Sequence, residues 1–314
     1  MRVWAVSDIH TDYKENLEWC QQLSDDDYKQ DVLILAGDVT DNLDTLRATF
    51  ECLASKWKCV FFTPGNHDLW VRRQERGQYD SIGKLERVQQ VCKECGVLCA
   101  PKCIDGVWIV PILSWYHATF DREPDIPGAA DVEKVMVDFQ VCNWPRPDMS
   151  ARDTSVAAYV DALNEPMLGN LETVLEMEAS SQSGWPKVIT FSHFLPLQEL
   201  LPEKRMLFQP NLAKACGSDF IQRRIEELKP MAHIFGHTHF SWDASIGGVR
   251  YIQWPLAYPQ ERRRRQNGGQ GWLPLLVYDT ETGLTEEKRT YWASLYKANG
   301  RNPENVQPAP WVGK

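Results

Sequence analysis

No apolar run in these 314 residues reaches bilayer-spanning length, so no helical membrane span is expected. No basic stretch followed by an apolar core precedes the first strand-like segment, which already begins at Val3, so neither a signal nor a transit peptide is expected. Positive charge is in short supply: the net charge is −9, which argues against a general nucleic-acid binder. No internal repeat is found. Nine cysteines, an odd number without a secretory signal, fit free thiols in a reducing compartment, so a cytoplasmic location is expected. Their densest cluster, Cys92, Cys95, Cys99 and Cys103, lacks the two C-x-x-C pairs and long intervening loop of a zinc ribbon. Instead Ile82–Cys95 reads as an amphipathic helix, Gly96 as its terminator and Val97–Cys99 as the next strand, making the thiols small buried apolar side chains.

What the chain does have is a set of metal-type residues in five short blocks: Asp8-Ile9-His10, Gly37-Asp38-Val39-Thr40-Asp41, Gly65-Asn66-His67-Asp68, Phe191-Ser192-His193 and Gly236-His237-Thr238-His239. They take five of the seven histidines. Each follows a run that reads as a buried strand: Val3–Val6, Val32–Ala36, Val60–Thr63, Val188–Phe191 and Met231–Phe235. In an extended segment residues i and i+2 share a side, so Asp8 with His10, and His237 with His239, each present two ligands to one cavity. Asp38 offers a carboxylate able to bridge two cations, and Asn66 a neutral amide oxygen. Imidazole, carboxylate and carbonyl without thiolate suit manganese, iron, zinc, cobalt or nickel better than magnesium or calcium. Two divalent cations against the carboxylates of Asp8 and Asp38 leave a positive centre that attracts an anion and holds a bridging hydroxide. Paired metals about 3.5–4 Å apart clamp the attacking and leaving oxygens of an in-line phosphoryl displacement, so phosphoester hydrolysis is the expected chemistry. His67, beside Asn66, titrates near neutrality and can give a proton to a departing alkoxide, or serve as one more ligand.

In this order the blocks resemble the calcineurin-like metallophosphoesterase superfamily, whose pattern is D-x-H, G-D-x-x-D, G-N-H-D/E, a lone H and G-H-x-H. The match covers roughly residues 1–260 with no ligand missing. The resemblance implies an α/β fold of two packed mixed β-sheets flanked by helices, a four-layer sandwich. It implies that Asp8, His10 and His239 bind one metal and Asn66, His193 and His237 the other, with Asp38 bridging. It makes His67 the general acid and Asp41 the carboxylate that orients it. Asp68 is an alternative for that orienting role.

Along the chain, strands alternate with helices near Lys14–Leu23 and Leu43–Lys56, as in parallel βαβ units with ligands beyond the strands' carboxyl ends. A strand over Val107–Leu113 follows. The stretch from Ser114 to about Met149, rich in Pro, Asp and Trp, has little period, as expected of a wall or lid. A long helical stretch over Asp153–Glu178 is interrupted by Pro166, and Val188–Phe191, Met231–Phe235, Val249–Gln253 and Leu275–Tyr278 read as mixed or antiparallel strands. One catalytic domain over residues 1–295, with an insertion near 114–180, and an irregular tail over 296–314 strapped down by Trp311 account for this, because the ligands must converge. Arg262–Arg265, followed by Gln266-Asn267-Gly268-Gly269, reads as a solvated loop. His117 is a candidate substrate contact, and His233 reads as a hydrogen-bonded core histidine.

The function expected is hydrolysis of a phosphate mono- or diester of a small molecule or nucleotide, with two divalent ions as cofactors. The same ligands would serve a nuclease of the superfamily, but one basic run makes a poor polyanion groove. A catalytically silent interaction scaffold is the other alternative, and the presence of every ligand and of His67 speaks against it. Protein Ser/Thr phosphatases carry a phosphate-gripping arginine where this chain has Asn42, and Glu where it has Asp68. Both departures favour the small-molecule and cyclic-nucleotide branches. The expected partner is therefore a small phosphorylated substrate; nucleic acid and membrane are not expected, and protein partners are left open.

Overall fold

A computed structural model describes residues 1–181, 184–264 and 271–312. The strands are β1 (Arg2–Val6), β2 (Val32–Ala36), β3 (Cys59–Thr63), β4 (Lys102–Ile104), β5 (Val107–Pro111), β6 (Lys187–Phe191), β7 (Ala232–Phe235), β8 (Trp242–Ile246), β9 (Val249–Gln253), β10 (Leu275–Asp279) and β11 (Gly283–Leu284). They form two mixed sheets, ordered β11-β10-β1-β2-β3 and β4-β5-β6-β7-β9-β8. Val3, Ala5, Ile34 and Phe61 of the first face Ile109, Ile189, Phe191, Ala232 and Ile234 of the second in one buried cluster. The alternate residues Val6, Leu33, Leu35, Val60 and Phe62 face outward against Cys20, Leu46, Phe50, Leu53, Val88 and Val91 of the helices Lys14–Gln22, Leu43–Lys56 and Ser81–Cys95. Val110 and Val188 likewise cover Leu171, Leu175 and Leu228 on the far side. The layers are thus helix, sheet, sheet, helix. Burial on both faces is why β2 reads Val-Leu-Ile-Leu-Ala without alternation.

The pairing is more parallel than the strand pattern suggests. β1-β2-β3 and β5-β6-β7-β9 run parallel, and only β10, β11, β4 and β8 are antiparallel to their neighbours. A two-residue loop, Gly247 and Gly248, both left-handed at φ 58° and 86°, folds β8 back on β9 at the sheet edge. β9 therefore runs parallel to β7. Gly96 ends its helix in the left-handed conformation, its N–H reaching the Cys92 and Lys93 carbonyls, as expected. Val97–Cys99 is not a strand, because only Leu98 bridges to Phe61. Cys92 is core, whereas Cys103 is exposed on edge strand β4, so that part of the buried-thiol expectation does not hold.

Residues 114–152 form a small irregular layer with turns of helix at Ala118–Phe120, Val132–Val135 and Asp138–Val141. It is pinned by Trp115, Tyr116, Phe120 and Met149 packing against Phe194 and Leu195. The long helix expected next is three helices, Ser155–Ala162, Glu165–Leu168 and Leu171–Ser181, with Pro166 in the first turn of the second, where its missing N–H costs nothing. Tyr291–Asn299 is helical, so the irregular tail begins after it rather than at residue 296. The tail lies on the segment Glu199–Met206: Ala309 N–H reaches the Arg205 carbonyl at 2.8 Å and the Trp311 indole the Met206 carbonyl at 3.0 Å. Arg262–Arg264 belong to the helix Pro259–Arg264 rather than a loop, while Arg265 and Gln266–Gly269 lie outside the described residues.

The fully buried Asn164 fixes the end of β5 to the helical layer: its amide accepts from Leu113 N–H and donates to Leu113 C=O, both at 2.8 Å. Asn164→Ala would leave two buried backbone groups unpaired and should cost roughly 2–4 kcal/mol in urea unfolding. A loss below about 1 kcal/mol would show that this clamp contributes little.

Candidate metal centre

All five blocks lie at carboxyl ends of parallel strands, three on one sheet and two on the other, and the packing of the sheets brings those ends together. Asp8 N–H bonds the Gly37 carbonyl and His10 N–H the Asp38 carbonyl, both at 3.0 Å. Across the sheets, His237 N–H reaches Asp8 Oδ1 at 2.9 Å. The ligands do not converge by strand alternation, as the spacing suggests. Asp8, His10, Asp38, His237 and His239 are all left-handed, at φ 52°, 39°, 55°, 77° and 57°. In that conformation the backbone turns back on itself and aims consecutive blocks at one point. Asp68 is fully buried and accepts N–H groups from Asp38, Val39, Thr40 and Gly65 at 2.8–3.0 Å, locking the turns after β2 and β3 together. Gly37, at φ 81°, is required there, since a Cβ would strike the His193 ring and come within 2.8 Å of Gly65 N.

Asp8, His10, Asp38 and His239 form one group of converging ligand atoms, and Asp38, His193 and His237 a second, each within 4.8 Å. The second group is the more telling. His193 Nδ1–H donates to the Ala36 carbonyl at 2.9 Å and His237 Nε2–H to the Ala215 carbonyl at 2.8 Å. Burial lowers both imidazoles to pKa about 4, so each is neutral and its other nitrogen carries a lone pair. Those nitrogens, His193 Nε2 and His237 Nδ1, both point at Asn66 Oδ1 from 3.0 Å. The Asn66 NH2 is turned the other way, donating to Asp138 Oδ1 at 2.9 Å. Three acceptors meeting in this way suit a cation.

In the first group, His239 Nδ1 is tied to Glu261 at 2.7 Å, and its Nε2 lies 3.0 Å from His10 Nε2 and 3.5 Å from Asp8 Oδ1. Burial lowers the His239 pKa, but the Asp8 charge and the bonds to Asp8 and Glu261 outweigh it and raise it to about 9. Burial, then the charges of Asp8 and Asp68, push Asp38 well above the usual carboxylate range, as expected where a cation belongs. The residues present fit bound metal.

His67 is in neither group. Its ring stacks on Trp70 at 3.7 Å between centroids, and its Nε2 lies 3.8 Å from Asp38 Oδ2 and 3.3 Å from the Tyr258 hydroxyl. Neither carboxylate considered for orienting it bonds the ring. Asp41 pairs instead with Arg72 at the rim, and its carbonyl takes Lys84 Nζ at 2.7 Å. Asp68 is used up by its four backbone partners. His117, the candidate substrate contact, is buried, bonded to Thr119 at 2.8 Å, and accepts the Asp219 N–H at 3.2 Å at the start of the helix Asp219–Leu228. His233 is the hydrogen-bonded core histidine expected, held by Thr190 at 2.8 Å and Ser192 at 3.0 Å. Sequence reasoning missed Trp70, Asp138, Tyr258 and Glu261. Trp70 gave a signal, since it follows His67 by three residues within one turn; the others lie far from the blocks they serve.

The calcineurin-like phosphoesterase family matches residues 1–241. A curated protein of Mycobacterium tuberculosis, acyl-carrier-protein phosphodiesterase PptH, is 26% identical over 290 residues, covering 89% of this chain and 84% of that protein. The crystal structure of phosphopantetheinyl hydrolase (PptH) from Mycobacterium tuberculosis superposes with a TM-score of 0.67 at 24% identity, covering 90% of this chain and 98% of that one. With the fold, the ligand groups and the family match in agreement, the chain belongs to the calcineurin-like phosphoesterases and is a metal-dependent phosphoric ester hydrolase.

Proposed function

We propose that this chain hydrolyses a phosphodiester at a two-metal centre, and that the diester joins a phosphopantetheinyl group to a carrier protein. The observation that carries the metal count is the pair of ligand groups sharing Asp38. Asp8, His10 and His239 would hold one ion, Asn66, His193 and His237 the other, and Asp38 both. When bound, such ions supply an activated water and neutralise phosphate charge. The likeness to PptH, over most of both chains, moves the proposed substrate from a free small molecule to a protein-bound diester. The rim supports a diester too. A monoester dianion needs more cationic partners than a diester monoanion, yet Arg72 is committed to Asp41, and Asn42 caps the helix Leu43–Lys56 by accepting the Thr45 N–H at 2.9 Å. A cytoplasmic setting suits the nine free cysteines.

His67 is the proposed proton donor to the leaving oxygen. Trp70 holds its ring plane, and the Tyr258 hydroxyl meets Nε2 in the resting site, a position the leaving oxygen would take over. Burial and the nearby charge of His239 disfavour a proton on His67, so an anionic substrate would favour its loading.

Three outcomes are expected. A phosphopantetheinylated carrier protein should lose its prosthetic group, followed by intact mass, much faster than a phosphoserine peptide loses phosphate; equal rates would sink the diester assignment. Chelation should abolish turnover, and Asp38→Asn should retain well under one metal per chain by elemental analysis, whereas two retained ions would remove Asp38 from the shared role. His67→Ala should keep its metals and slow an alkyl diester by about 10²–10⁴-fold, but a nitrophenyl diester far less, because nitrophenolate leaves without a proton. Equal losses on both esters would count against His67 as the acid.

A further inference from the structure

We propose that Asp138 is a positioning residue of the metal centre: it turns the Asn66 amide so that oxygen, not nitrogen, faces the ligand nitrogens, and it ties that choice to the placement of His67. This rests on the two-metal reading only in assigning Asn66 a cation.

A carboxamide has nearly the same shape after a half-turn, so sterics do not decide which end faces His193 and His237. The partner on the opposite side decides, and that partner is the buried Asp138 carboxylate, an acceptor only. The same oxygen, Oδ1, accepts the Trp70 indole N–H at 2.7 Å, and Oδ2 accepts the Tyr116 hydroxyl at 3.1 Å. Trp70 is the platform under His67, and the Tyr116 ring is stacked alongside His237, 6.3 Å between centroids. One carboxylate thus orients a metal ligand and the aromatic support of the proton donor. It belongs to neither sheet: it opens the short helix Asp138–Val141 in the irregular layer, 72 residues from Asn66. That layer is therefore part of the metal centre and not only a wall beside it.

The test compares two replacements of Asp138, with manganese binding followed by titration calorimetry and near-ultraviolet circular dichroism as the check on folding. Asp138→Ala removes the acceptor and should weaken the more weakly held ion by about 10–100-fold, as loss of an outer partner of a ligand does. Asp138→Asn keeps one oxygen for both the Asn66 amide and the Trp70 indole and turns its NH2 to the Tyr116 oxygen, so most of the affinity should return. Asn66→Asp sets two carboxylates face to face and should bind poorly. Trp70→Phe should keep both ions yet, like His67→Ala, slow an alkyl diester more than a nitrophenyl one. If folded Asp138→Ala binds manganese as the parent does, or Asp138→Asn binds no better than Asp138→Ala, the proposal is overturned. Should Asp138→Ala fail to fold, Asn66→Asp decides, and parental affinity there overturns the proposal. A parent that binds a single ion would overturn the two-metal reading instead, and the comparison would stand on that ion.

Discussion

The buried carboxylate of Asp68 accepts four backbone N–H groups from two loops, and the geometry of the centre depends on it. Five ligand residues sit in the left-handed region. Such conformations cost of order 1–3 kcal/mol each, toward the low end for Asp and His, so together they approach the stability of a whole domain. Unconstrained loops would relax. Here Asp68 fastens the turns after β2 and β3, and Asp8 and Asp38 in turn accept the N–H groups of His237 and His67. The ligand carboxylates are therefore structural before any metal arrives: each uses one oxygen on the backbone of another block.

The same economy governs the histidines. Ala36, Ala215 and Glu261 each take one ring nitrogen of His193, His237 and His239, so the other nitrogen of each ring faces the shared cavity. Two of these partners are backbone carbonyls on neighbouring segments, so the tautomers follow from the fold itself. Glu261 comes from the helix Pro259–Arg264, whose preceding residue Tyr258 meets His67. That segment thus carries a contact to His239 and a contact to His67 within four residues.

The convergence of Asp8, His10, Asp38, His193, His237 and His239 was legible because each block closely follows an apolar run, and those runs become parallel strands of two packed sheets. The layered fold followed from the resemblance those ligands carry. The reason the ligands converge was not legible: alternation along an extended strand would pair Asp8 with His10, but left-handed backbone does so, and only the packed loops reveal it. Asp41 sits in the expected motif, yet Arg72, a local neighbour in space, claims its carboxylate. Asp138 lies in a segment with no period, where nothing local distinguishes it from a solvated acid. Its importance comes from a contact 72 residues away. Arg262–Arg264 looked like a loop because charge density hid a short helix anchored by Glu261.

Asp8, Asp38, Asp68 and Asp138 are all buried in one small region. Among the described residues they are met by backbone N–H groups, by the neutral donors Asn66, Trp70 and Tyr116, and by His239. Burial and the charges of Asp8 and Asp68 accordingly drive Asp38 toward its protonated form. Cations would remove that penalty where it is largest, between the two ligand groups that share Asp38. Metal affinity and fold stability would then be two views of one electrostatic balance, because the clustered carboxylate charge that costs the fold stability is the charge that would attract cations. The fold can carry such a centre because the sheets beneath it pack through a continuous apolar cluster, while the left-handed residues lie in the loops at the strand ends.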